Sequence, residues 1–141
     1  MPEELKEKIQ SLFWAGCCGD AETKRTIGRV WQEHHYLCDT HTAVAWNVAQ
    51  EYKAANPGHA PVVVLSTASP YKFPAAVLGG LGEKAEGDEF AVMEQLERLT
   101  GVPAPKNLRG LRERPVRHTT VLDREEMLPF VLEKAQEKKW F

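Results

Sequence analysis

Residues 62–74 read VVVLSTASPYKFP, and the reading of this stretch decides the fold. Val62, Val63, Val64 and Leu65 form an unbroken apolar run with three β-branched side chains, the pattern of a short buried strand. Hydroxyls follow at once, at Ser66, Thr67 and Ser69, and then Pro70, Tyr71 and Lys72. In an open α/β sheet, ligands commonly bind at the carboxyl ends of strands. The run therefore predicts a buried strand over 62–66 whose end turns polar groups toward a ligand. A serine-rich turn is the plainer alternative. Successive strand residues face opposite ways, so Ser66 and Thr67 cannot both meet one ligand edge.

Helical patterns surround this stretch. A first helix is predicted over 2–14, with Leu5, Ile9, Leu12 and Phe13 on one stripe and Gly16 ending it. Asp20 is placed to cap a second helix that runs to about His34. Asp39 or Thr40 caps a third, with Ala45, Val48, Ala49 and Tyr52 as its apolar stripe and Asn56-Pro57-Gly58 as its stop. Pro74 suits the first turn of a fourth, which Gly79-Gly80 soon weakens. Asp88 caps a fifth, carrying Phe90, Val92, Met93, Leu96 and Leu99. Residues 116–122, VRHTTVL, form a weaker strand candidate, and Asp123 with Glu126 has capping-box spacing before a last helix.

The expected fold class is thus α/β and helix-rich, a single domain over residues 1–141 with one strong buried strand and about seven helices. A lone strand has backbone groups to satisfy, so 62–66 should be an edge strand or pair across chains. Its partners would be the second candidate, another copy, or sequence elsewhere.

The chain has 141 residues, 43 % hydrophobic and 27 % charged, as a globular domain does. A net charge of −2 gives no electrostatic case for a nucleic-acid partner or an anionic membrane. No apolar run approaches the roughly 20 residues of a membrane span. The opening MPEELKEKIQ is charged and helical, unlike a signal peptide. Cys17, Cys18 and Cys38 are odd in number with two adjacent, which fits neither a disulfide framework nor zinc spacing. Reduced thiols in a cytoplasmic setting are the reading.

His34, His35, Asp39 and His41 are the densest set of possible metal ligands, but no histidine pair has i,i+4 spacing. They read as a helix end and a cap, and no metal is assigned. No glycine-rich phosphate cradle is present. The stretch 39–45, DTHTAVA, sets a helix N-terminus beside Thr40, His41 and Thr42. That suits a polar or anionic ligand, and equally an ordinary cap.

Three stretches carry a resemblance: FWAGCCGDAETKRTI at 13–27, YLCDTHTAVAW at 36–46 and STASPYKFP at 66–74. Together they resemble threonine synthase, a pyridoxal-phosphate enzyme of the tryptophan-synthase-β fold type. The family pattern before the cofactor-facing helix is Asp-Pro-His-Thr-Ala-Val, and Thr40 stands here in place of the proline. The resemblance covers nearly the whole chain but only the C-terminal third or so of the family. It implies that Thr67 is the neutral hydroxyl that meets the pyridine nitrogen of the cofactor. It further implies that Thr40, His41, Thr42, Ser66 and Ser69 are pocket wall or substrate contacts. Lys72 reads either as a point charge for the substrate phosphate or as a loop lysine bonding nearby carbonyls.

The resemblance also implies what is elsewhere. The family's Schiff-base lysine and phosphate-holding glycine loop lie in its N-terminal part. None of the ten lysines here sits in a similar sequence. No catalytic residue is therefore assigned to this chain, and no pyridoxal phosphate to the chain alone. The parent reaction converts O-phosphohomoserine and water into threonine and phosphate. The chain reads as the C-terminal region of such a lyase, inactive by itself, with the missing N-terminal part as its partner. Self-association is expected through Phe13, Trp14, Trp46 and Phe73. The alternatives are a stand-alone binding or regulatory module, and a purely structural domain.

Overall fold

Aspartates at three helix starts fix where the chain turns helical. The computed structural model describes residues 2–58 and 61–137. Its helices are α1 (Glu3–Leu12), α2 (Asp20–His34), α3 (Thr40–Ala55), α4 (Pro74–Gly80), α5 (Glu89–Thr100), α6 (Lys106–Arg109) and α7 (Met127–Glu137). Single 3₁₀ turns lie at Pro70–Lys72 and Arg124–Glu126. Asp39 caps α3 by accepting from the His41 and Thr42 amides, and Asp88 caps α5 by accepting from the Ala91 amide. Each carboxylate satisfies amides that have no partner inside the helix. Asp123 and Glu126 form a capping box, in which the Asp123 amide donates to the Glu126 carboxylate at 3.0 Å. Gly101, at φ 68°, ends α5 in the left-handed conformation that glycine adopts without strain.

The core lies where α2 packs on α3 and α4, and α4 on α5. Thr23, Thr26, Ile27 and Val30 recur at helical spacing and form the buried face of α2. Val77 and Leu78 of α4, and Val92 and Leu96 of α5, meet them. Helices α2 and α4 approach closely because both present glycine at the contact. A methyl carbon added at Gly28 would lie 2.5 Å from the Gly80 carbonyl oxygen.

The expected strand does not form. Residues 62–66 carry no regular structure, and no strand or sheet exists among the described residues. The run is not buried either: Val63 is 80 % and Leu65 73 % exposed. Residues 116–122 are likewise irregular, with Val116 and Val121 exposed. The α/β expectation, with its one strong buried strand, therefore gives way to a helical fold. β-Branched residues favour a pleated, half-buried surface, and that preference is realised only against a neighbouring strand.

Smaller corrections follow the same logic. Gly19, not Asp20, is the cap residue of α2 and makes no side-chain bond. Helix α1 ends at Leu12, and its expected stripe faces solvent at Leu5, Ile9 and Leu12. On α3 the buried positions are Thr42, Ala43 and Asn47, a face rotated from the predicted stripe.

Gly28→Ala forces the α2–α4 contact apart, an overpacking that costs about 1–3 kcal/mol. Gly110→Ala, whose nearest neighbour would be an oxygen at 3.6 Å, should change stability by less than about 0.5 kcal/mol. Urea titrations of the two variants and the parent chain check this.

Candidate functional site

Helix α3 begins at a buried carboxylate. Asp39 is 1 % exposed, and an ion in that position must be hydrogen-bonded to stay charged. Its Oδ1 accepts from the His41 amide at 2.8 Å and the Thr42 amide at 3.3 Å. The His41 ring nitrogen Nδ1 lies 3.2 Å from the same oxygen. The Thr42 hydroxyl donates to Oδ2. Burial pushes the Asp39 pKa up, but the Thr42 hydroxyl and the bonds from His41 and Thr42 outweigh it. The net position is below the ordinary 3.8. Beside it Cys38 is also 1 % exposed, and burial, with the Asp39 charge, pushes its thiol up to about 11. Cys38 is a core residue held as the neutral thiol.

The network reaches across the chain to the hydroxyl-rich loop. Thr42 Oγ1 lies 3.3 Å from Ser66 Oγ, and the Tyr36 hydroxyl donates to Ser66 Oγ at 2.9 Å. Further along, Ser69 accepts from the Tyr71 amide at 3.2 Å and so caps the turn Pro70–Lys72. The buried Tyr71 donates its hydroxyl to the Val102 carbonyl just beyond α5. The loop is thus fastened at Ser66 and at Tyr71. Between them Thr67 is exposed, and its hydroxyl has no partner among the described residues.

A cleft of about 550 Å³ lies between the starts of α2 and α3 and the entry to α4. Cys18 and Lys24 line it from the start of α2, Thr40 and His41 from α3, and Phe73 from the entry to α4. The Phe73 ring is 43 % exposed and lies between two polar groups. The His41 ring centroid is 5.7 Å away, and the Lys72 ammonium is 5.7 Å from the Phe73 centroid. The expected site residues therefore divide. Thr40 and His41 line the cleft. Thr42 and Ser66 form the support beside it, Ser69 caps a turn, and Thr67 stands free. Lys72 borders a neighbouring apolar groove of about 650 Å³, with Tyr71, Phe90 and Met93. Its ammonium rests near an aromatic ring.

Tyr36 and Lys24 are members that sequence reasoning missed. Tyr36 reaches a residue 30 positions away, so no local spacing marks it. The possible metal ligands disperse: His34 packs on Trp46, and His35 on Trp31. No three His, Cys, Asp or Glu side chains converge as metal ligands among the described residues. None of the described helices is long and apolar enough to cross a membrane.

The described residues form a helical fold in which a hydroxyl-bearing loop is tied to a capped helix start. The family to which it belongs follows from sequence comparison. The family model described as "Threonine synthase, C-terminal" matches residues 42–131, and the chain belongs to that family. The match takes in Thr42, the whole loop from Ser66 to Lys72, and α5. Human threonine synthase-like 2 is 32 % identical over 101 residues, 71 % of this chain and 21 % of that protein. Threonine synthase of Pseudomonas aeruginosa is 36 % identical over 99 residues, 68 % of this chain and 21 % of that enzyme. That of Methylobacillus glycogenes is 36 % identical over 87 residues. The chain spans about a fifth of the length of these relatives. The threonine synthase family is in general dependent on pyridoxal phosphate.

Because the native Asp39 pKa is lowered, its contribution is present above the ordinary value of 3.8 and is lost as pH falls through the lower native value. The stability difference between the parent and Asp39→Asn should therefore shrink in acid. Asp39→Ala should cost about 2 kcal/mol at neutral pH through the lost cap. Thermal melts over a pH series read both effects, and a difference independent of pH would show that Asp39 is not the charged cap.

Proposed function

We propose that this chain forms one wall of the pyridoxal-phosphate site of a threonine-synthase-type lyase. The observation that carries the reading is the Thr67 hydroxyl, left free between two fastened neighbours beside the capped start of α3. The residues present fit one side of the cofactor. An exposed neutral hydroxyl suits a pyridine nitrogen, and the cleft lined by Thr40 and His41 has the size of a small-ligand site. The chain offers no glycine-rich cradle for the cofactor phosphate and no lysine in the family's anchoring sequence, so those functions fall to another part of the enzyme.

When bound, the cofactor supplies an electron sink for elimination and replacement at a small amino acid. Thr67 bonds the ring nitrogen without forcing a proton onto it, as a carboxylate would, and so holds the sink at moderate strength. His41, tethered by Asp39 and facing Phe73, shapes the cleft wall. Lys72 offers a point charge to a substrate phosphate. The substrate in this reading is O-phosphohomoserine, converted with water to threonine and phosphate.

The partner is a polypeptide part carrying the anchoring lysine. The apolar surface awaiting it includes Phe13, Trp14, Val63, Leu65 and Phe73, all exposed, while Trp46 is half-buried. Val63 and Leu65, in the irregular segment 62–66, belong to that surface. Without that part, the same surface drives the chain to associate with itself.

Two measurements test the reading. The chain alone, incubated with pyridoxal phosphate and borohydride, should yield no stoichiometric adduct on one lysine. Mixed with the lysine-bearing part of a threonine synthase, it should support phosphate release from O-phosphohomoserine. Thr67→Ala should lower that rate about fivefold, or more where the nitrogen is left dry. Thr67→Asp should alter turnover and cofactor absorbance together. Unchanged kinetics and spectrum in both variants would make Thr67 a turn residue only.

A further inference from the structure

Only one order of the hydroxyl protons satisfies all three contacts that join Tyr36, Ser66, Thr42 and Asp39. A carboxylate accepts and cannot donate, so the single Thr42 hydroxyl proton goes to Asp39. Thr42 Oγ1, 3.3 Å from Ser66 Oγ, is then the acceptor in that pair, and Ser66 supplies the proton. Ser66 has spent its one proton, so at 2.9 Å it accepts from the Tyr36 hydroxyl. The order is Tyr36 to Ser66 to Thr42 to the buried Asp39 carboxylate, one direction throughout. Of the two adjacent hydroxyls at the start of the loop, Ser66 has no proton left for a ligand, whereas Thr67 keeps its own.

We infer that Asp39 is a positioning residue which, through this ordered run of hydroxyls, ties the Ser66 hydroxyl to Thr42 and leaves the neighbouring Thr67 hydroxyl as the donor to the cofactor ring. The inference rests on the proposed cofactor site and assigns the choice between Ser66 and Thr67 within it. Tyr71, bonded to the Val102 carbonyl, holds the far end of the loop, so the hydroxyl run controls the near end alone. Lys24, His41 and Phe73 lie outside the run and set the cleft beside it.

The test uses the 141-residue chain and needs no cofactor for its first arm. Thr42→Val keeps the side-chain shape and removes the hydroxyl, and Thr42→Ser restores it. Backbone ¹⁵N order parameters at Ser66, Thr67 and Ala68 should be near the rigid value of about 0.85 in the parent. They should fall below about 0.6 in Thr42→Val and recover in Thr42→Ser, while Val92 and Leu96 in α5 stay unchanged. If Thr42→Val fails to fold, Tyr36→Phe decides. It removes the outer donor at an exposed position and should loosen the same three residues. A loop equally rigid in the variants, or one not restored by Thr42→Ser, overturns the inference.

The second arm adds the lysine-bearing part and pyridoxal phosphate. Thr42→Val should shift the cofactor absorbance in the same direction as Thr67→Ala, with Thr42→Ser restoring it. Loosening without any change in absorbance keeps the hydroxyl order but removes its role toward the cofactor. No absorbance change even in Thr67→Ala defeats the cofactor site itself, while the first arm still stands or falls alone.

Discussion

The buried carboxylate of Asp39 is the constraint on which the rest of this structure depends. An ion removed from water needs several donors, and each donor it recruits fixes a piece of chain. The His41 and Thr42 amides set the first turn of α3. The Thr42 hydroxyl links that turn to Ser66, and Ser66 carries the link to Tyr36. A loop that has no regular structure of its own is thereby held against a helix. One set of bonds thus caps the helix and holds the loop against it.

The domain satisfies some of its surface and leaves the rest open. Helices α2, α4 and α5 bury Ile27, Val30, Val77, Leu78 and Leu96 around close glycine contacts. In contrast, α1 and α7 have no buried residue, and Val63, Leu65, Leu128 and Leu132 are exposed. Exposed apolar side chains mark interaction sites where they gather into one patch. The chain spans about a fifth of its relatives' length, and these apolar side chains stay exposed in it.

The parts of the fold legible in the sequence are those set by local chemistry. Asp39, Asp88 and the Asp123–Glu126 pair mark helix starts because a side chain three residues or fewer away can meet a free amide. Pro74 and Gly101 mark a start and a stop for equally local reasons. The irregular course of 62–66 was not legible in this way. Its residues carry a preference that only a neighbouring strand can realise, and among the described residues there is none. Of the site, the loop from Ser66 to Lys72 and the α3 start stood out by composition and by resemblance. Their connection did not, because Tyr36, Thr42 and Ser66 meet across 24 to 30 residues, and a tertiary bond leaves no periodic mark. The position of Phe73 between His41 and Lys72 is hidden for the same reason.

The proposed contact joins a neutral hydroxyl of this chain to the pyridine nitrogen. The ¹⁵N resonance of ring-labelled pyridoxal phosphate, bound where this chain meets the lysine-bearing part, addresses it most directly. The account predicts the shift of an unprotonated, hydrogen-bonded nitrogen that moves when Thr67 is replaced by alanine. A protonated nitrogen whose resonance is indifferent to Thr67→Ala would contradict it.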